Sequence, residues 1–222
     1  MSHSFASKAV NYFLDLSLPK KPPEDISFMN PYSGKETQEI IKRFFQKYFS
    51  DTKKRIFIFG INPGRFGGGI TGVSFTDPVA LREQCKIDNN FGYRKELSSE
   101  FVYKVIDKYG GAEKFYSHYF LTALYPLAII KNSKNYNYYD DSELLSFMKP
   151  LLVESIKAQI QLGADSRFAV SFGKKNAKFL QQINSELKIF DKIKILDHPR
   201  YIMQYKRKKL DEYIDNYLDI LS

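Results

Sequence analysis

Four short apolar runs along the chain alternate with segments of helical periodicity. The apolar runs lie at 55–60, 119–124, 167–172 and 193–196, and the helical segments lie at 36–48, 101–109, 150–162, 175–183 and 210–221. Short apolar runs closed by glycine, proline or aspartate are typical of buried strands in a parallel sheet. The pattern therefore predicts an α/β protein, a three-layer α/β/α sandwich around a central, mostly parallel sheet.

The chain length suits one domain, and we expect residues 1–222 to form it. Pro19, Pro22 and Pro23 predict that residues 1–35 form an extended N-terminal arm packed on this domain. One cysteine and three histidines exclude an intramolecular disulfide and argue against a metal cluster. No stretch approaches the run of about 20 apolar residues that a membrane span needs, and the first residues lead us to expect no secretory signal. We therefore expect a cytoplasmic monomer without cofactor, metal or membrane contact.

The charge balance is basic. Lys and Arg number 34 against 25 Asp and Glu, which gives a formal net charge of +9. This excess favours polyanionic partners, because cations that contact phosphates release bound counterions. A lysine-rich surface without such a partner would give the same count, so charge alone leaves both alternatives open.

The segment 60–78, directly after the first apolar run, contains six glycines. Glycines let a backbone approach a ligand closely, and ligands of parallel sheets bind beyond the carboxyl ends of the strands. The segment has neither the phosphate-binding pattern nor the dinucleotide-binding pattern of glycines. Asn62 at the strand exit could hold a water molecule or cap a turn. A second loop, which contains His198, follows the last run, so we expect the functional site between these two loops.

Three segments, in this order, resemble single-strand-selective monofunctional uracil-DNA glycosylases. Gly60-Ile-Asn-Pro-Gly64, Phe66-Gly67 and Thr71-Gly-Val-Ser-Phe75 are similar to the family's first motif, G-M-N-P-G, F-G and T-G-V-P-F, with the same gaps. The stretch 119–127 resembles the strand that lines the base pocket, and Asp197-His-Pro-Arg200 lies where the family has H-P-S-P-R. The resemblance covers most of the chain beyond Lys53 and implies the uracil-DNA glycosylase fold, in a divergent bacterial-type branch.

The resemblance also implies roles for individual residues. Asn62 would position the attacking water, and His198 would stabilise the negative charge on the departing base. The base would be flipped out of the DNA and stacked on Phe75. The rest of the base pocket would come from Ile61, Gly64, Phe66 and Ala123. Core packing remains the alternative for Phe75, and an ordinary hydrogen-bonded loop residue the alternative for His198.

The basic stretch 199–209 lies where the family inserts a wedge into the duplex and holds flanking phosphates. The DNA-binding residues that we predict there are Arg200, Tyr201, Lys206 and Arg207. An apolar tip between cations suits this task, because phosphate binding and wedge contact offset the cost of unstacking a base step. A solvated start of the last helix is the alternative.

Three positions depart from the family pattern. Ala123 stands where the family has an asparagine that reads the edge of uracil, Ile61 replaces a methionine, and the second motif lacks its second proline. An alanine side chain makes no hydrogen bonds, so the base preference could be broader or shifted toward deaminated purines.

The predicted function is hydrolysis of the N-glycosidic bond of uracil or another deaminated base flipped out of single- or double-stranded DNA. The product would be an abasic site, as in base excision repair, and the enzyme would be monofunctional. Two alternatives stay open: a catalytically weak nucleic-acid or nucleotide-binding protein that kept the fold, and a hydrolase of small N-glycosides. The cations of 199–209 favour DNA over a free nucleoside.

Overall fold

The computed structural model describes residues 4–221. Its strands are β1 (Ile26–Met29), β2 (Ile56–Gly60), β3 (Tyr119–Ala123), β4 (Ala128–Lys131), β5 (Lys134–Tyr136), β6 (Ala169–Phe172) and β7 (Ile193–Leu196). Its helices are α1 (Phe5–Leu14), α2 (Lys35–Tyr48), α3 (Gly68–Thr71), α4 (Pro78–Glu83), α5 (Leu97–Tyr109), α6 (Ala112–His118), α7 (Ser142–Ile160), α8 (Lys174–Leu187), α9 (Pro199–Tyr205) and α10 (Leu210–Leu221). Short 3-10 turns at Pro31–Ser33 and Arg207–Lys209 complete the order.

A parallel four-stranded sheet with the order β3-β2-β6-β7 forms the centre of the protein. Each of the four predicted apolar runs contains one of its strands, and β2, β3 and β6 are buried along their whole length. The register pairs Gly60 with Ala123, so the last residues of β2 and β3 lie side by side. The carboxyl ends of all four strands therefore meet at one edge, as predicted.

Helices cover both faces of this sheet. On one face, α1 and α2 pack through Phe5 and Phe45 onto Phe120, with ring centroids 5.2 and 6.2 Å away. On the other face, Tyr217 of α10 packs on Phe172, with a centroid distance of 5.4 Å. Phe120 pairs with Phe57 and Ser171 pairs with Phe59, so Phe120 and Ser171 point to the same face of the sheet. Phe172, the residue after Ser171, therefore points to the opposite face. The predicted three-layer α/β/α sandwich is confirmed.

The expectation of an extended arm was wrong for Phe5–Leu14, which form α1. Ser4 caps this helix by accepting a hydrogen bond from the backbone N–H of Ser7, at 3.2 Å. Phe5, Ala9 and Phe13 recur at helical spacing and are buried in the hydrophobic core. The burial of this apolar stripe favours a helix there, whereas the proline-containing stretch after it lacks such a stripe.

The helix predicted from residue 150 begins earlier, at Ser142, and Pro150 lies inside it. Asp141 caps the true start, because its carboxylate accepts a hydrogen bond from the Leu144 N–H at 2.7 Å. Buried Leu144, Met148 and Leu152 continue one apolar stripe past the proline, which is exposed. Burial of that stripe outweighs the missing N–H of Pro150. No helix within residues 4–221 is long and apolar enough to cross a bilayer.

A second, antiparallel sheet of order β1-β4-β5 was not predicted. Strands β4 and β5 form a hairpin whose turn is made by Asn132 and Ser133, with φ of 49° and 57°. Two consecutive residues in this conformation are typical of tight hairpin turns. The hairpin is three to four residues long on each side and mostly polar in β5, so it carries no apolar alternation.

Candidate active site

A cleft of about 800 Å³ opens at the carboxyl ends of the parallel strands. The predicted site residues that line it are Ile61, Asn62, Gly64, Phe66, Phe75, Ala123, His198, Arg200 and Tyr201. Lys206 and Arg207 are not among the lining residues. The loop after β2 and the loop after β7 therefore share one cleft, and the ends of these strands are two strand spacings apart, about 10 Å.

The amide of Asn62 is held in one orientation. Its Nδ2 donates a hydrogen bond to the backbone carbonyl of Tyr136 on β5, at 3.0 Å. Its Oδ1 is the one buried side-chain polar atom in the described part of the chain that has no hydrogen-bond partner. A buried acceptor without a partner is costly unless a ligand or water satisfies it. Asn62 thus presents an acceptor to whatever occupies the cleft.

The His198 ring is neutral at neutral pH. Desolvation, together with the positive charge of Arg200, lowers the pKa of His198 to about 4. His198 also caps α9, and its Nδ1 accepts a hydrogen bond from the backbone N–H of Arg200 at 3.2 Å. In a neutral imidazole one nitrogen accepts and the other carries the proton, so Nε2 is the N–H donor. The helix cap therefore selects the tautomer that can donate to an anion.

Phe75 forms part of the cleft wall and also packs against the protein. Its backbone has a φ of 55°, and its ring lies 5.2 Å from the Phe172 ring and 6.2 Å from the His198 ring, centroid to centroid. A Cβ added at Gly60 would lie 2.5 Å from the Phe75 ring. Gly60 must therefore be glycine for the ring to cover the end of β2. A strained backbone at such a position is common at functional sites.

The wall at the end of β3 offers little hydrogen bonding to a ligand. Ala123 lines the cleft, and its backbone carbonyl is already bonded to Nε2 of the buried Gln159 at 3.0 Å. Gln159 in turn bonds Thr122 and Ser155, so this carbonyl is held inside the core. Position 123 consequently contributes shape rather than polar recognition.

The rim of the cleft combines cations and exposed aromatic rings. Tyr201 is 41% exposed and lies 5.5 Å from the ring of Tyr205, which is 71% exposed. Across the cleft, Phe66 is 40% exposed, with the Arg65 and Arg94 guanidinium groups 4.5 and 5.0 Å from its centroid. Exposed aromatic rings beside cations suit stacking on nucleic-acid bases.

The predicted DNA contacts at positions 206 and 207 lie outside this rim. Arg207 is exposed and forms an ion pair with Glu100 of α5, at 3.5 Å. Lys206 is half-buried at the end of α9. Their role in binding stays a prediction.

Sequence reasoning missed several residues of the cleft. The β4–β5 hairpin contributes Lys134 and Asn135, and Asn135 Oδ1 accepts a hydrogen bond from the Arg65 backbone N–H at 3.0 Å. Glu96 and Tyr205 also line the cleft. The dipeptide Asn132-Ser133 was the available signal for the hairpin, since such pairs favour tight turns. In the described residues, no three or more His, Cys, Asp or Glu side chains are grouped to hold a metal ion.

Comparison with known proteins identifies the class. Residues 46–222 match the model of the Uracil DNA glycosylase superfamily, and the chain belongs to this superfamily. The crystal structure of wild-type SMUG2 from Pedobacter heparinus is similar, with 38% sequence identity and a TM-score of 0.94. The match covers 100% of this chain and 97% of that one. A comparison with curated proteins gives no match. The chain is thus of the SMUG type, and the predicted family is confirmed.

Proposed function

We propose that the protein is a monofunctional DNA glycosylase, which hydrolyses the N-glycosidic bond of a deaminated base and leaves an abasic site in DNA. The observation that carries this proposal is the unpartnered, buried Oδ1 of Asn62 in the same cleft as the neutral His198 ring. Together these groups supply an acceptor for a water molecule and a donor for an anion. Base excision repair is the role that such a reaction serves.

In the proposed reaction, the bond between C1′ and the base breaks and its electron pair leaves with the base. The Nε2–H of His198 donates to the oxygen on which this negative charge develops. Because the ring is neutral, it stabilises the charge as a hydrogen-bond donor and does not protonate the base. Preorganisation by the helix cap means that the donor needs no reorientation during the reaction.

Asn62 acts on the other reactant, the water. Its Oδ1 accepts a hydrogen bond from the water and directs the water oxygen toward C1′. An amide is not a useful base, so attack follows substantial departure of the base. The water oxygen bonds to C1′, and the proton that it loses ends on the released base, which balances the hydrolysis.

The pocket walls support the class of base that we propose. Phe75 supplies a ring against which a flipped base can stack, and Ala123, which also lines the cleft, has no amide to read a pyrimidine edge. We propose uracil and deaminated purines as substrates. The same absence of edge-reading groups favours the second candidate, a catalytically weak binding protein that kept the fold.

The decisive experiment is an abasic-site assay. Labelled oligonucleotides, single-stranded and duplex, each carry one uracil, hypoxanthine or xanthine, and strand breakage by alkali reports excision. We expect excision of at least one base by the wild type and a loss of about 10²-fold for every base in Asn62→Ala, because a misplaced water costs this much. Binding of lesion DNA without any excision would instead support the weak binding protein.

A further inference from the structure

Glu96 lies at the cleft but has no part in the steps above. It is the residue before α5, and its backbone N–H donates to Asp77 Oδ2 at 2.8 Å. Asp77 itself caps α4, accepting from the Val79 and Ala80 N–H groups at 3.0 and 2.8 Å. The backbone at Glu96, where α5 begins, is therefore also held by the residue that caps α4. Its side chain does not cap α5 and turns instead toward the glycine loop.

The Glu96 carboxylate is packed directly on the backbone of that loop. A Cβ added at Gly64 would lie 2.4 Å from Glu96 Oε1, and one added at Gly67 would lie 2.2 Å from Oε2. Neither Gly64 nor Gly67 has a positive φ, so a left-handed backbone is not the reason that these positions are glycine. Gly64 and Gly67 make room for the carboxylate.

The electrostatic surroundings agree with this contact. Burial and the neighbouring Asp77 raise the pKa of Glu96, while hydrogen bonding from the Phe66 and Gly67 backbone N–H groups and the charge of Arg200 oppose the rise. Both carboxylate oxygens face loop backbone, which suits holding the loop rather than acting on a substrate. The loop that they hold carries Gly64 and Phe66 into the cleft, directly after Asn62.

We propose that Glu96 is a positioning residue, whose carboxylate fixes the segment from Gly64 to Gly67 in the shape that the cleft requires. This inference rests on the proposed glycosylase function for its kinetic consequences, but the contact itself does not. If the contact matters, enlarging Gly64 and removing the Glu96 carboxylate damage the same interaction. Their effects on the reaction then overlap.

The test is a double-mutant cycle with Gly64→Ala, Glu96→Ala and the double variant, read as single-turnover excision rates and as lesion-DNA affinity. We expect each single variant to slow excision by roughly 10- to 100-fold through a displaced loop. The double variant should be no slower than the slower single variant, because coupled residues are not additive. Rates that multiply would overturn the proposal.

Two control variants match this design. Gly72→Ala strains a backbone with a φ of 74° and places its methyl 2.7 Å from the Thr37 side chain rather than against the Gly64–Gly67 segment, so its effect should multiply with that of Glu96→Ala. Glu143→Ala removes an exposed carboxylate from the first turn of α7 and should leave the rate unchanged. Overlap between Gly72→Ala and Glu96→Ala would count against a specific contact.

Hydrogen–deuterium exchange supplies a readout that needs no activity. In Glu96→Ala, a peptide covering 61–72 should exchange faster, while one covering 5–14 should not change. If the wild type excises no base, the proposed function fails and the exchange experiment still decides on Glu96. If the wild type excises a base but exchange in 61–72 is unchanged, the positioning role fails and the proposed function stands.

Discussion

At the scale of single residues, His198 links the chemistry of the cleft to the pH dependence of folding. Its pKa is about 4 in the folded protein against 6.5 as the ordinary value. Between these values the unfolded chain binds the proton and the folded protein does not, so stability falls as pH falls through this window. The His198 ring therefore stays neutral, and able to donate from Nε2, well below neutral pH. In return, the free energy of unfolding is lower in acid.

We expect the wild type to lose about 2–3 kcal/mol of unfolding free energy, on account of this group, between about pH 7.5 and about pH 4.5. His198→Asn should lack this loss, because its amide caps α9 without titrating. Urea denaturation of both proteins at the two pH values measures the difference. Equal pH dependence in the two proteins would mean that His198 titrates normally in the folded state.

We predict that base preference can be changed at Ala123. Ala123 lines the cleft and its carbonyl is bonded to Gln159, so we expect an asparagine there to offer its amide to the cleft. Ala123→Asn should raise uracil excision relative to purine lesions by one or two hydrogen bonds of about 0.5–1.5 kcal/mol each. Competition between lesion oligonucleotides measures the ratio.

Ala123→Val provides the matched control for this change. It adds bulk without an amide, so it should slow the excision of purine lesions and give no gain on uracil. A lesion ratio that stays at the wild-type value in Ala123→Asn would mean that position 123 does not contact the base.

At the scale of elements, the end of α9 and the turn after it carry two cations, Lys206 and Arg207, that we predict to bind DNA. Arg207 is paired with Glu100, so a DNA phosphate must compete with that carboxylate. We expect Lys206→Ala with Arg207→Ala to weaken DNA binding equally for all sequences. The slope of log K against log salt should flatten by about one for each phosphate that the variant no longer binds.

Fluorescence polarisation over a range of salt concentrations measures this slope. Lys157→Ala is the matched control, because Lys157 is an exposed lysine of α7 that is paired with Glu154 at 3.1 Å. It should leave the slope unchanged. If the double variant also retains the wild-type slope, the turn faces solvent in the complex.

The elements also show what sequence could and could not predict. The bounds of β7 were predicted without error, because an isolated apolar run between polar segments has few other solutions. The β4–β5 hairpin was missed because its stability comes from pairing with β1, about 100 residues away in sequence. Glu96 was missed for the same reason, because its carboxylate packs on Gly64 and Gly67, which lie about 30 residues earlier in the sequence.

For the candidate site too, local features could be predicted from the sequence and contacts between distant segments could not. The two loops that form it were predicted from strand ends and motifs, and both line one cleft. The orientation of the Asn62 amide could not be predicted, since it is set by a backbone carbonyl on the unpredicted hairpin. The tautomer of His198 likewise depends on a helix cap that only the folded chain reveals.

At the scale of the whole molecule, the basic charge is concentrated where it can act on a polyanion. Four cations line the cleft, Arg65, Lys95, Lys134 and Arg200, against one carboxylate, Glu96. In the proposed reaction a flipped nucleotide would bring flanking phosphates to this rim, whereas a free nucleoside would bring none. Binding energy from such remote groups can lower the barrier at the reacting bond. This difference separates a DNA glycosylase from a hydrolase of small N-glycosides.

We therefore expect kcat/KM for a uracil-containing oligonucleotide to exceed that for deoxyuridine by at least about 10²-fold. The oligonucleotide value should fall as salt rises, because released counterions oppose binding, and the nucleoside value should not. Chromatography of the released base measures both reactions on one scale. Comparable values for the two substrates, both insensitive to salt, would assign the cleft to small N-glycosides and leave the cations of the rim without a role in catalysis.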